Sequence, residues 1–299
     1  IDIIATGIDG LPMGIKENLW EQLIPKYKKE THADDLNEIA QSYVEAFDGY
    51  GVPNEVVPGG PVLVYNKDKV KQPPKNFKEL QSWIDQNPNK FLYAALANSG
   101  PARGFFFGVA QSFGEDFANG ANLDKTWDYL EKINKNIDVY PSKSSETFNL
   151  LFDGTVDIVP HLPLWYAYMK SLGQIPENIG IVKMEDSKQV IDAQFYVMLK
   201  DLPEERKKAA LKFIDFAMSE KAQAQGYPVG RIPTNKKATS DLVLPEYKDD
   251  YDKLLKALMP EFKDGNNAIV PDGDWVLFPD TDTINKYYKK WEEKIQSKK

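Results

Sequence analysis

The sequence predicts an α/β fold. Short apolar runs of strand length alternate along its 299 residues with longer segments in which apolar residues recur every three or four positions. This alternation is typical of βα units, whereas an all-helical or all-β protein keeps one period throughout. Hydrophobic residues make up 42% of the chain and charged residues 27%, which is the balance of a folded globular protein.

The predicted elements follow in chain order. The strands are four apolar runs: IDIIAT at 1–6, FLYAALA at 91–97, VDIVP at 156–160 and DAQFYVML at 192–199. The main helices are predicted from GIDGLP to about Gln22, at 75–88, from Pro101 onward, at 123–134, 144–154, 163–173 and 202–226, with two more at 249–258 and 283–296. Local signals mark their ends: Asn76 and Asp124 as N-caps, Pro203 in a first turn, and Gly154, Gly173 and Gly226 as stops.

The length allows two domains, but no Pro-, Gly- or Ser-rich linker divides the chain. Two domains would therefore be joined by ordered strands. The candidates are GGPVLVYNKD at 59–68 and VIDAQFYVML at 190–199, which are both apolar and flanked by turn residues.

Composition excludes several classes of function. The formal charge of -8 and the pI near 5.0 argue against nucleic acid as a partner. No cysteine is present, which removes disulfides, thiolate metal sites and cysteine nucleophiles. The two histidines, His32 and His161, stand in no metal-ligand or triad spacing, and no P-loop or G-x-S-x-G motif occurs. We expect no enzyme, metal or cofactor, although scattered carboxylates leave open a cleft hydrolase with a carboxylate pair.

The stretch NSGPARG, 98–104, is the most informative turn. A helix that starts at Pro101 leaves backbone N–H groups free at Gly100 and beyond, at the positive end of the helix dipole. Asn98, Ser99 and Arg103 add side-chain donors, so the turn has the design of an anion site. A plain helix cap beside a solvated arginine explains the same residues equally well.

The order of the motifs resembles the extracellular solute-binding proteins of ABC importers. The resemblance rests on DIIATGIDGLPMGIKENLWEQLIPKY, YGVPNEVVPGGPVLVYNKDKVKQPPKNFKELQSW, DAQFYVMLKDLPEERKKAALKFIDFAMSEKAQAQ, GRIPTN and INKYYKKWEEKI, in that order. It implies a two-lobed periplasmic-binding-protein-like fold with mixed sheets and ordered hinge strands. Lobe one would comprise 1–61 and 193–299, and lobe two 62–192. The resemblance also implies that lobe one is incomplete, because family members have a strand–helix–strand unit before the position that matches the first residue here.

The same resemblance implies a function. A monomeric receptor would close around a small molecule and present it to an ABC permease, outside the cytoplasm, in the periplasm or at the cell surface as a lipoprotein. In lobe two, 98–103 would face the cleft. In lobe one, the GIDG loop would be its counterpart, where Asp9 either caps its helix or receives a ligand amine, and Gly10 lets backbone approach the ligand.

Two ligand hypotheses remain open. The first is a small polar solute with an anionic group, held by 98–103 and by Arg231, which is otherwise a solvated arginine. The second is an amine or polyamine, held by Asp9, by Asp192 and by Trp165, which is otherwise a core residue. Asp192 takes this role from a similarity to the polyamine-binding branch, whose flanking tryptophan is Val190 here. A zwitterion would use both sets.

Overall fold

Strands and helices alternate along the chain in the computed structural model, which describes residues 1–259 and 275–299. The chain divides into two units. Unit 1 contains the described residues of Ile1–Val57 and Asp192–Val270, and unit 2 contains those of Pro58–Ile191 and Pro271–Lys299. The predicted α/β class is confirmed by these elements.

Unit 1 is built on a sheet. Its elements are β1 (Ile3–Gly7), α1 (Gly10–Lys16), α2 (Glu38–Ala46), β2 (Val52–Pro58), the later part of β6 (Gln189–Met198), α8 (Glu204–Met218), α9 (Glu220–Ala224), β7 (Ile232–Pro233) and α10 (Lys248–Ala257). The strand order is β1-β6-β2-β7, and β1 pairs antiparallel with β6 so that Ala5 stands opposite Tyr196. Helix α8 buries Ala210, Ile214 and Met218, spaced four apart on one face, in one cluster with Val52 of β2.

Unit 2 holds a second sheet and most of the helices. Its elements are β3 (Val62–Asn66), α3 (Phe77–Gln86), α4 (Gly100–Ser112), α5 (Asp124–Asn134), α6 (Ser144–Phe152), β4 (Ile158–His161), α7 (Pro163–Ser171), β5 (Ile179–Lys183), β8 (Trp275–Leu277) and α11 (Thr281–Lys294). Strand β3 lies between β4 and β5 and pairs antiparallel with both. The first residues of β6 pair in parallel with β8. The larger sheet is therefore mixed, as predicted, whereas the three-stranded sheet β4-β3-β5 is antiparallel.

Helix α4 packs directly on backbone. A Cβ at Gly104 would lie 1.8 Å from the carbonyl oxygen of Gly59, and one at Gly108 would lie 2.5 Å from Pro61 Cγ. Only glycine allows this approach at position 104, because no rotamer change moves a carbonyl group. The helix therefore lies against residues 59–61, which lead into β3. Its own Phe105, Phe106 and Phe107 are buried.

The C-terminal helix belongs to unit 2. Trp291 Nε1 donates to Tyr93 Oη at 3.0 Å, Tyr287 Oη donates to the Phe117 carbonyl at 3.0 Å, and Asn134 Nδ2 donates to the Ile295 carbonyl at 3.2 Å. The predicted lobe one included the whole of 193–299, so this assignment differs. The boundaries within the strands are close to those predicted: 57/58 instead of 61/62, and 191/192 instead of 192/193.

Several predicted elements differ in extent. The run 91–97 makes only an isolated bridge, from Phe91 to Ile158, and ends in a 3-10 turn at Leu96–Asn98. Helix α1 ends at Lys16 rather than near Gln22, and Trp20 then packs over Gly14. The helix predicted at 202–226 is two helices, because Ser219 takes an extended conformation and caps α9 through the Ala222 N–H. Helix α2 and strands β2, β5, β7 and β8 were not predicted.

No helix in residues 1–259 and 275–299 has both the length and the apolar character that crossing a membrane requires.

Candidate functional site

The start of α4 is a capped helix N-terminus. Ser99 is extended and 1% exposed, and its Oγ accepts the Ala102 N–H at 3.1 Å. Pro101 occupies the first turn, where its missing N–H costs no hydrogen bond. The predicted helix start is confirmed, and Ser99 fills the capping role that competed with the anion-site interpretation.

A second helix begins at the same place. Ser144, the first residue of α6, puts its Oγ 2.8 Å from Ser99 Oγ, and the preceding Lys143 does not cap the helix with its side chain. We call Asn98, Ser99, Gly100, Arg103 and Ser144 the α4/α6 corner. Two helix N-termini meet there, and each carries a partial positive charge that favours an anion.

The α4/α6 corner has more hydrogen-bond donors than acceptors. Two hydroxyl groups carry two protons, and one proton serves the bond between Ser99 and Ser144. The other has no acceptor among the described residues, and neither does the Gly100 N–H. A group that supplies acceptors would satisfy both, which is what a carboxylate or phosphate does.

Arg103 and Asn98 complete the corner. Arg103 is partly exposed, and its Nη1 donates to the Ala97 carbonyl at 3.3 Å, so the guanidinium lies back over its own turn. Asn98 is exposed. The structure thus brings together all four residues predicted in this turn and adds Ser144, which the sequence analysis missed. The pair of serines at 144–145 before an apolar helical pattern was the available signal.

Three rings form a partly open aromatic cluster on the next turn of α6. Phe148 follows Ser144 by four residues, on the same helix face. Its ring lies 4.1 Å from the His161 ring and 5.2 Å from the Trp165 ring, and the last two are 4.8 Å apart. Trp165 keeps 37% of its surface exposed, so it is neither a fully buried core residue nor free of contacts. Trp165 stacks on Phe148, which lies one helical turn after Ser144 on α6.

His161 is a neutral, buried donor. Its Nδ1 accepts the Leu162 N–H at 2.8 Å, which places the ring proton on Nε2. That Nε2 atom is buried and has no hydrogen-bond partner within the described residues. Burial lowers the pKa of His161 to about 3, because the charged imidazolium would lose its hydration inside the protein. The imidazole therefore stays uncharged across the physiological range.

This burial predicts a pH dependence of stability. His161 takes up a proton near pH 6.5 in the unfolded chain and only near pH 3 in the folded chain. The contribution of His161 to the free energy of unfolding is therefore complete above pH 6.5 and is lost as the pH falls toward 3. As the pH falls from 6.5 toward 3, the equilibrium constant for unfolding should rise by up to about tenfold per pH unit. Urea unfolding of the wild type and of His161→Phe at each pH measures how much of the pH dependence comes from His161. If the free energy of unfolding changes with pH in the same way in both proteins, His161 is not the buried neutral group described here.

The GIDG loop of unit 1, predicted to face a ligand, packs against its own strand. Asp9 is exposed at the start of α1, and its side chain makes no capping hydrogen bond. A Cβ at Gly10 would lie 2.1 Å from Thr6 Oγ1, so the missing side chain makes room for Thr6. This gives Gly10 a packing role, and its predicted approach to a ligand stays a prediction.

Asp192 lies inside a strand rather than before one, because β6 begins at Gln189. It is partly buried, and its Oδ1 accepts the Ala193 N–H at 2.7 Å. The chain passes from unit 2 to unit 1 at this residue.

Arg231 is exposed, as the solvated alternative expects, but it is also paired with a carboxylate. Its Nε lies 3.1 Å from Glu55 Oε2, and the Glu55 side chain is 15% exposed. Burial raises the pKa of Glu55, and the Arg231 charge opposes that rise. Glu55 was missed because it stands 176 residues away in sequence. The pair lines a cavity within unit 1, and its near-zero net charge weakens Arg231 as a second positive group of an anion site.

Comparisons with known proteins agree on one fold. A protein of an ABC transporter from Clostridium perfringens aligns over 99% of this chain and 83% of its own at 19% identity, with a TM-score of 0.71. A spermidine/putrescine ABC transporter substrate-binding protein from Streptococcus pneumoniae aligns over 99% and 82% at 19% identity, with a TM-score of 0.68. A periplasmic binding protein from Actinobacillus pleuropneumoniae, solved with fructose-6-phosphate, aligns over 99% and 82% at 18% identity, with a TM-score of 0.64.

At these identities the structural likeness establishes the two-lobed periplasmic-binding-protein fold. No curated protein sequence matches the chain significantly. The sequence model described as a bacterial extracellular solute-binding protein matches residues 1–254. That match covers most of the chain, and the chain belongs to the bacterial extracellular solute-binding protein family.

Proposed function

We propose that the chain is the substrate-binding component of an ABC importer and captures a small polar solute with an anionic group. The observation that carries this is the donor excess at the α4/α6 corner, where a spare hydroxyl proton and the Gly100 N–H meet two helix N-termini. Trp165, with 37% of its surface exposed, would add apolar contact to the ligand.

The mechanism would be closure of one unit toward the other around bound solute. The chain crosses between the units within β2 and within β6, and such short strand segments can act as hinges. Contacts that the ligand makes only in the closed form would shift the population toward that form. A membrane permease would then receive the closed monomer outside the cytoplasm, and no covalent chemistry is required.

An amine or polyamine is the second candidate. Asp192 is a partly buried carboxylate at the point where β6 changes units, and an exposed tryptophan face suits a cation. The Streptococcus pneumoniae structure is named for spermidine and putrescine. This alternative uses none of the spare donors at the α4/α6 corner, and for that reason it ranks second.

A ligand screen with two variants separates the candidates. Solutes are tested by thermal shift, since a ligand that binds only the folded state raises the apparent stability, and each hit is titrated calorimetrically. Arg103→Ala should weaken an anionic ligand by about tenfold or more, the typical effect of losing a charged hydrogen bond. Asp192→Asn should leave that ligand unaffected.

The control is Arg206→Ala, which removes another guanidinium, the exposed partner of Asp2 in unit 1. The reverse pattern, with loss only in Asp192→Asn, would replace the anion assignment by the amine one. Recovery of the ligand chemically changed after incubation would contradict the receptor function itself.

A further inference from the structure

Unit 2 has an open groove between helix α3 and the chain segment just before that helix. The groove encloses about 590 Å³, and all of its lining residues lie within 72–86, so it belongs to unit 2 alone. A volume of roughly 300–1,000 Å³ is typical of pockets that bind small molecules. The groove shares no residue with the α4/α6 corner, and the proposed function does not use it.

The apolar lining of the groove consists of one tryptophan and two prolines, Trp83, Pro73 and Pro74. Trp83 is partly exposed, and its ring stacks on no other ring among the described residues. Its indole N–H has no acceptor in that part of the chain either. The groove therefore offers an aromatic surface together with an unused donor.

The helix period places polar side chains beside this indole ring. Glu79, Trp83 and Gln86 are four and three residues apart, so they share one face of α3. From Glu79 to Gln86 that face is about 10 Å long. Glu79 Oε2 accepts the Lys75 N–H at 2.9 Å, which fixes the carboxylate and lowers the pKa of Glu79. One end of the groove thus carries an oriented, charged acceptor.

The polar lining has no net charge. Lys78 and Glu79 contribute one charge of each sign, and the other lining residues are neutral. The side-chain amides of Gln72 and Gln86 are exposed and make no hydrogen bond to any residue that the structure describes. Each amide offers both donors and an acceptor. Hydroxyl groups match this lining, because each hydroxyl also donates and accepts, whereas a phosphate only accepts and an ammonium only donates.

We propose that the groove binds a neutral saccharide, with one pyranose ring stacked on Trp83 and its hydroxyl groups bonded to Glu79 and Gln86. In a pyranose with equatorial hydroxyl groups, the axial C–H bonds point out of the two ring faces. Their slightly positive hydrogens are attracted to the negative face of an indole ring. The hydroxyl groups then lie around the edge of the sugar, where side chains of the same helix face can reach them. Soluble oligosaccharides and surface glycans both carry this chemistry, and the test separates them.

The test titrates the whole chain with cellobiose and with maltose, two uncharged disaccharides of glucose. Ligand-observed NMR should show saturable binding of at least one of them at millimolar concentration. Sorbitol carries the hydroxyl groups of glucose without its ring, so it should bind about tenfold more weakly or worse, because it loses the stacking on Trp83. Cosedimentation with insoluble cellulose or starch would identify the ligand as a glycan polymer, and binding of the disaccharide alone would identify it as a soluble oligosaccharide.

Two variants test the site itself. Trp83→Ala should weaken the disaccharide by about tenfold or more, since the stacking surface is lost. Gln86→Ala should weaken it by about fivefold, the typical effect of one neutral hydrogen bond, and provides a second measurement at an exposed position should Trp83→Ala fail to fold. The matched control is Gln81→Ala, which removes an amide from the same helix outside the groove and should leave the affinity unchanged.

The absence of saturation by both disaccharides would overturn the proposal. So would equal binding of sorbitol, or an equal loss of affinity in Gln81→Ala and Gln86→Ala. Loss of disaccharide binding in Arg103→Ala, with full binding in Trp83→Ala, would place the saccharide at the α4/α6 corner and refute the groove. The affinity of an anionic solute for that corner should not change in Trp83→Ala, so the two sites can be tested separately.

Discussion

Gly104→Ala is expected to destabilise unit 2 by roughly 3 kcal/mol, at the upper end of the usual cost of overpacking. The new Cβ would lie 1.8 Å from the Gly59 carbonyl oxygen and 2.8 Å from its carbon, and both atoms are backbone. Helix α4 would have to move away from the chain at 59–60, and Ser99 at its N-terminus would move with it. Urea unfolding should therefore show a lower midpoint, and solute binding at the α4/α6 corner should weaken as well.

Gly100→Ala is the matched control in the same helix. A Cβ at that position meets no atom within 4 Å, so the change in stability should stay within about 0.5 kcal/mol. Equal unfolding midpoints for the two variants would show that α4 does not pack on Gly59.

Helix starts were predictable because their determinants are local. Asn76 Oδ1 accepts the Glu79 N–H at 2.8 Å, as its predicted capping role requires, and Glu79 Oε2 accepts the Lys75 N–H at 2.9 Å. The start of α4 at the NSGP turn was found for the same reason. In each case the cap and its partner lie within four residues, so the sequence contains the whole interaction.

Features that depend on residues far apart in the sequence could not be predicted from it. The apolar run 91–97 has the composition of a strand, but its Ala95 N–H bonds to the Pro141 carbonyl rather than to a neighbouring strand. The apolar pattern of such a run indicates that it is buried, but it does not indicate which part of the protein covers it. Likewise, Ser99 and Ser144 are 45 residues apart, and nothing local in either one predicts the 2.8 Å contact that joins two helix starts.

Arg231 shows the same limit for charge. From sequence it was a candidate anion ligand or a solvated surface residue, because its partner Glu55 lies in β2, far away along the chain. The pair changes what the arginine can do: part of its charge is already matched, and a free anion gains less from it than from an unpaired guanidinium.

The assignment of the C-terminal helix can be tested with Trp291→Ala. Trp291 is 1% exposed, donates to Tyr93 Oη and packs its ring 5.1 Å from that of Tyr140. Removing it leaves a large cavity and a buried Tyr93 hydroxyl without this partner, so we expect a loss of about 3–5 kcal/mol. Hydrogen exchange should show the loss of protection around Tyr93 and Tyr140, while β1 and α8 in unit 1 keep theirs.

Phe216→Ala is the control for this experiment. It removes an aromatic side chain from a long helix of unit 1, but one that is 69% exposed, so the stability should change by less than about 0.5 kcal/mol. The comparison separates burial in unit 2 from loss of an aromatic ring in general. Faster exchange in α8 with unchanged exchange near Tyr93 would instead return the C-terminal helix to lobe one, as the family resemblance implied.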